Sequence, residues 1–145
     1  MPIDERIEAW ATLSLKGLPS AALIAVLRAC DGPVAALAAS RAKLAACLPP
    51  AAVERMLAPV PAATLEAIRQ WLRDPRHELI AWDDPDYPRA LLDLADAPVA
   101  LYFVGRRALL GRPALAVVGS RHATPQGRDN AEAFARALSA AGVTI

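Results

Sequence analysis

Gly119, Ser120 and Arg121 stand in a row, and together they offer what a phosphate needs. Gly119 has no side chain to block an approaching anion, Ser120 brings a hydroxyl, and Arg121 brings a planar, permanently charged fork that matches phosphate oxygens. Upstream, residues 114–118 are apolar without polar alternation, the pattern of a strand buried on both faces of a parallel sheet. Downstream, Thr124 suits an N-cap and Pro125 the first helical position. Ala131, Phe134, Ala135, Leu138 and Ala141 then recur at helical spacing, and Gly142 suits the C-cap. A glycine turn between a strand and a helix turns unpaired N–H groups outward at the positive end of the helix dipole, which favours an anion there. Gly127 and Arg128 fall early in that helix, and Arg128 adds a charge there. The stretch is neither a Walker loop nor the full G-x-G-x-x-G dinucleotide pattern.

Charge near the turn is one-sided. The chain as a whole has a formal charge of only +1, so composition alone gives no reason to expect a polyanionic partner. Yet residues 97–128 contain no Asp or Glu, while Arg106, Arg107, Arg112, Arg121 and Arg128 all fall inside that window. Any one of these is an ordinary solvated loop charge; five beside a phosphate-type turn make a local basic surface, with Arg106, Arg107 and Arg112 at its periphery. Just before the window, Asp83, Asp84, Asp86, Asp93 and Asp96 crowd among prolines, where the turn chemistry of aspartate accounts for them more simply than acid-base catalysis. His77 and His122 have no Cys or His partner at ligand spacing. Hence no catalytic residue, metal or cofactor is assigned. Cys30 and Cys47 lie in alanine-rich segments without metal spacing and read as free thiols, which fits a reducing cytoplasm. No apolar run approaches the length of a membrane span.

The elements around this turn divide into two textures. In residues 1–75 every segment between prolines and glycines reads as a short helix. Asp4, Ser20 and Ser40 are candidate caps, Gly32-Pro33 and Pro49-Pro50 are breaks, and Trp10 and Trp71 are candidate large core residues. Helices this short must pack into one globule. From residue 76 the pattern changes. Residues 78–82 read as a strand, residues 83–88 as a dense turn followed by a short helix around Leu91, and residues 99–104 as a second strand. With the run at 114–118 and a further strand starting at Val143, this predicts an α/β fold with a parallel or mixed sheet. The domains are therefore drawn as 1–75, helical, and 76–145, an incomplete Rossmann-like sheet. Because the expected sheet is only partly accounted for, the chain reads as a piece of a longer protein, with an exposed apolar sheet edge.

Several of these motifs occur in an order that resembles a known family. Asp86-Tyr87-Pro88 with Leu91, then Asp96-Ala97-Pro98, Leu101-Tyr102 and Gly105, then Val117-Val118-Gly119-Ser120-Arg121 with Thr124 and Gly127, is similar to the opening of the bacterial DNA-processing proteins of the DprA or Smf family. The helical first half is similar in position to the SAM-like domain that many members carry. The resemblance implies a non-enzymatic binder of single-stranded DNA in natural transformation that protects incoming DNA, loads the RecA recombinase and acts as a homodimer. It also implies that Gly119, Ser120 and Arg121 grip DNA phosphate, with Thr124, Gly127 and Arg128 around them. Where many members have an aromatic residue before the second glycine, this chain has Gln126. A different class of function, a nucleotide-processing phosphoribohydrolase of the lysine-decarboxylase-like group, would use a similar turn to hold a nucleoside monophosphate. The turn at residues 15–20, between the first two helices, resembles that of a helix-hairpin-helix module. Pro19 removes an N–H that a phosphate grip would use, and residues 1–75 have eight basic and seven acidic side chains, so the turn reads as a packing or interaction element.

Overall fold

Six helices in sequence fill the first part of the computed structural model, which describes residues 4–145. They are α1 (Glu5–Ser14), α2 (Ser20–Cys30), α3 (Pro33–Leu37), α4 (Arg41–Ala45), α5 (Pro50–Leu57) and α6 (Ala62–Trp71). Two strands follow, β1 (His77–Ala81) and β2 (Ala100–Val104), joined through a short 3₁₀ helix at Arg89–Asp93. A last helix, α7 (Pro125–Ala140), comes after a second 3₁₀ turn at Arg107–Leu109. The fold is thus mixed α and β. Its contacts divide into two compact units, one up to Gly105 and one from Arg106 to Ile145.

In the first unit the local signals act largely as the sequence predicts. Asp4 caps α1 by accepting from the Arg6 N–H at 2.8 Å, and Ser40 caps α4 by accepting from Lys43. Pro33 and Pro50 stand at the first positions of α3 and α5, where their missing N–H is no loss. Asp31 ends α2 in a left-handed conformation at φ +58°. The apolar faces meet in one core built on Trp10, Leu13, Val26, Leu44 and Met56, joined by Leu79 and Ala81 of β1 and by Val99. Trp10 is fully buried, and its indole N–H has no hydrogen-bond partner among the described residues. Trp71 differs from expectation: it is half-buried, stacks on His77 with ring centroids 4.2 Å apart and meets the edge of Tyr102 at 5.7 Å. On the surface, Arg69 of α6 pairs with Glu8 of α1, and that hydrogen bond holds the Glu8 carboxyl below the usual carboxylate range.

The sheet departs from the expected sense. β1 and β2 pair antiparallel, in register from His77 opposite Val104 to Ala81 opposite Ala100. The reason lies in the connection: the Trp82 N–H donates to the Val99 carbonyl at 3.0 Å, so the two ends of the loop are pinned together. A parallel pair would instead need a crossover returning the chain to the far end of β1.

Inside that loop, motif residues hold one another. Tyr87 is 2% exposed and its hydroxyl donates to the Pro98 carbonyl at 2.6 Å. Asp96 accepts from the Ser20 N–H at 2.7 Å, and the Ser20 hydroxyl donates to the Ala97 carbonyl. Ser20 therefore does not cap α2, as its type and place suggested. Pro19 is the N-cap residue and makes no side-chain bond, and the cap is supplied from 76 residues away by Asp96.

The second unit corrects a further expectation. Residues 115–118 form no strand; Ala114 makes one parallel bridge to Thr144, with Leu115 donating to Thr144 at 2.9 Å and Thr144 donating to Pro113 at 3.0 Å. Val118 is 89% exposed rather than buried on both faces. A doubly buried strand needs neighbours along both edges and a layer over each face, and the described residues of this unit supply one bridge and one long helix. No residue from 106 to 145 is buried.

Two stability experiments follow. Tyr87→Phe leaves the Pro98 carbonyl without its buried donor and should lower the unfolding free energy by about 1–3 kcal/mol, read from urea denaturation. The hydrogen bonds from Ser20 hold the Asp96 carboxyl below its usual range, so its contribution is present above the unfolded value of about 3.9 and disappears as pH falls through the folded value. The difference in urea midpoint between wild type and Asp96→Asn should therefore be constant near neutrality and shrink below about pH 4.

Candidate nucleic-acid interface

The candidate residues all lie in the second unit, and its local structure explains how the turn is held. Ser120 Oγ accepts from the His122 N–H at 3.1 Å, a side-chain turn that fixes the chain between the bridge and α7 while leaving the hydroxyl hydrogen free to donate. Thr124 caps α7 as expected, its Oγ1 accepting from the Gly127 N–H at 3.1 Å, and Pro125 is the first helical residue. At Gly127 a Cβ would lie 3.2 Å from Thr124 Oγ1, so a bare backbone there lets the cap close tightly. At the other end, Gly142 takes φ +87°, donates to Ser139 at 3.0 Å and lets Val143 donate to Leu138 at 3.1 Å, which reverses the chain toward the bridge with Ala114.

Gly119 stands apart from these glycines. Its φ is not left-handed and a Cβ built on it would meet nothing within 4 Å. Neither backbone conformation nor crowding within the chain requires glycine at this position, and the space in front of it is open to a ligand.

The charged side chains around the turn are solvent-exposed and mostly positive. Arg121 follows Gly119 and Ser120 directly, and Arg128 lies in the first turn of α7, its backbone N–H donating to Thr124. Neither forms an ion pair among the described residues. Arg106 and Arg107 begin the second unit and Arg112 follows its 3₁₀ turn, so these three belong to a separate segment before the bridge. Only Asp129 and Glu132 oppose the arginines of residues 106–145, and Glu132 is taken up by Arg136. Residues 1–105, by contrast, hold thirteen acidic and ten basic side chains. The positive charge of the chain is thus concentrated in the unit that carries the turn. Among the described residues there is no group of three or more His, Cys, Asp or Glu able to hold a metal, and no helix is long and apolar enough to cross a membrane. Cys30 and Cys47 are both free thiols.

Two of the spaced motifs prove to be fold devices. Tyr87, Asp96 and Pro98 are engaged in the loop of the first unit, whereas the Gly-Ser-Arg turn is exposed and uses little of its hydrogen-bonding capacity. The bond from Asp96 to Ser20 escaped sequence reasoning because a cap was sought only next to the helix it serves.

Residues 78–145 match the family described as DNA recombination-mediator protein A. The Smf protein of Escherichia coli K12 is 39% identical over 85 residues, covering 59% of this chain and 23% of that protein. The Smf protein of Synechocystis sp. is 39% identical over 67 residues, covering 43% of this chain and 17% of that protein. An alignment of 85 residues is longer than the stretch 78–145, so the likeness to the first relative reaches upstream of β1. The chain spans less than a quarter of the length of these curated relatives. The family match falls on the segment that carries the loop motifs and the turn, and together with the two Smf proteins it supports a place for this segment beside the DprA/Smf recombination-mediator proteins.

Proposed function

We propose that this protein binds single-stranded DNA, protects it during natural transformation and serves as a platform for loading the RecA recombinase. The observation that carries the reading is the exposed Gly119-Ser120-Arg121 turn just ahead of α7, on a unit whose charge is predominantly positive, inside the segment that matches the recombination-mediator family. In this reading residues 1–75 are a SAM-like domain and residues 76–145 open a Rossmann-like domain that acts as a homodimer in the cytoplasm. The protein works by binding, without catalysis or cofactor.

The chemistry follows from the groups at the turn. Arg121 pairs with a backbone phosphate through its guanidinium fork, while Ser120 Oγ and the backbone N–H groups after Gly119 hold the same phosphate or the next. Thr124 and Gly127 keep the helix start in place, and Arg128 adds charge on the first turn of α7. Arg106, Arg107 and Arg112 contribute longer-range attraction at the edge. Such contacts recognise the backbone and carry no base information, which suits a protein that must coat incoming DNA of any sequence.

Arg121→Ala in the intact protein should weaken single-stranded DNA binding about tenfold or more, equally for all sequences. It should also make the plot of log K against log salt shallower by roughly 0.7, the contribution of one phosphate contact on a single strand. Arg121→Lys should recover part of the affinity, because a point charge replaces a bidentate fork, and Arg106→Ala should cost less than Arg121→Ala. Fluorescence anisotropy across a salt series measures all three. Unchanged affinity and slope for Arg121→Ala would remove the turn from the DNA site; binding of a nucleoside monophosphate at the turn would favour the enzymatic class instead.

A further inference from the structure

The turn between α1 and α2 forms one wall of a shallow pocket of about 280 Å³ in the first unit. The opposite wall is the end of α5 and the connection Pro59-Val60-Pro61, and Thr64 of α6 closes the side. Two cations line it. Lys16 Nζ donates to the Ala58 carbonyl at 2.6 Å, and Arg55 Nη1 donates to the Gly17 carbonyl at 3.0 Å, with Gly17 at φ +62°. These bonds cross the pocket in opposite directions and fix both side chains along its rim. Each uses only part of the donor capacity: an ammonium has three N–H groups and a guanidinium five. No carboxylate lines the pocket, and neither cation has an acidic partner among the described residues. Partial burial lowers the pKa of Lys16, the direction expected of an ammonium that loses water without gaining a counter-charge.

The remaining lining is apolar and stiff: Leu15, Ala58, Val60 and two prolines. A stiff apolar floor beneath two under-used cations matches a ligand with a carboxylate next to an aliphatic side chain. A polyanion fits less well, because residues 1–105 hold more acidic than basic groups and would repel an extended phosphate chain away from the pocket itself. We propose that the Lys16–Arg55 pocket docks a short peptide segment of a protein partner in which an acidic residue stands next to a large aliphatic one. The carboxylate lies between Lys16 and Arg55, and the aliphatic side chain lies on Leu15, Val60 and Pro61. Both binding cations are preorganised by backbone carbonyls, which reduces the ordering cost on association.

The test uses the whole chain and three acetylated, amidated tetrapeptides, Gly-Asp-Leu-Gly, Gly-Asn-Leu-Gly and Gly-Asp-Gly-Gly. Binding is followed by backbone amide chemical shifts. The Asp-Leu peptide should shift residues 15–17 and 58–64 saturably, and both control peptides should bind about tenfold more weakly or not at all. Lys16→Gln with Arg55→Gln keeps donors for the two carbonyls but removes both charges, and should abolish the difference between the Asp-Leu and Asn-Leu peptides. If those variants do not fold, the three peptides on the wild-type chain still decide the matter. Equal binding of all three, shifts confined to other residues, or displacement of the Asp-Leu peptide by oligothymidylate acting on the same amides would overturn the proposal.

Discussion

The first unit depends on one loop being closed. The segment joining β1 to β2 has little regular structure of its own, and its shape is set by hydrogen bonds between groups distant in sequence: the Tyr87 hydroxyl on the Pro98 carbonyl, Trp82 on Val99, and Asp96 with Ala97 on Ser20. Burial pushes the Tyr87 phenol pKa up, so the hydroxyl keeps its proton and remains a donor across the physiological range. Closing the loop has two results. It sets β1 and β2 antiparallel, and it supplies the N-terminus of α2 with the acceptor that Pro19 lacks. The helices and the strands are thus held to one another by a polar clasp as well as by the shared core of Trp10, Leu13 and Leu79.

Much of the local architecture was legible in the sequence because it is decided by neighbours. Asp4, Ser40 and Thr124 cap the helices they precede, the prolines stand where a missing N–H does no harm, and both strands around residues 80 and 102 lie where apolar runs were bounded by turns. What the sequence concealed is decided by partners far along the chain. Ser20 has the type and place of a cap, yet its hydroxyl is drawn to Ala97. The apolar run at 114–118 has a strand's composition, but composition cannot provide the second edge and the covering layers that a buried strand requires. Trp71 illustrates a related point: its size suggested a core position, while stacking on His77 holds it at the surface of the helical unit.

The candidate site was legible in a different way. Gly119, Ser120, Arg121, Thr124 and Gly127 were chosen for chemistry, and their surroundings separate two kinds of glycine. Gly127 has a local steric reason, the 3.2 Å approach to the Thr124 oxygen, whereas Gly119 has none within the chain. The family match at residues 78–145 takes in both Tyr87 and Asp96 of the clasp and the exposed turn, so the matched segment includes residues engaged in the fold and, in Arg121, a side chain with no ion pair among the described residues.

The absence of any buried residue from 106 to 145 has a consequence for dynamics and affinity alike. Amides in a segment with so little excluded surface are expected to exchange with solvent through openings of small free energy, while those behind Trp10 and Leu13 wait for rarer events. Under the proposed function, a strand of DNA gripped by Arg121 would order the segment as it binds. Part of the contact energy would offset lost chain entropy, and the measured affinity would fall short of what the contacts alone supply. Any neighbour that covered Val118 and Phe134 beforehand would remove that cost and tighten the grip without touching the phosphate.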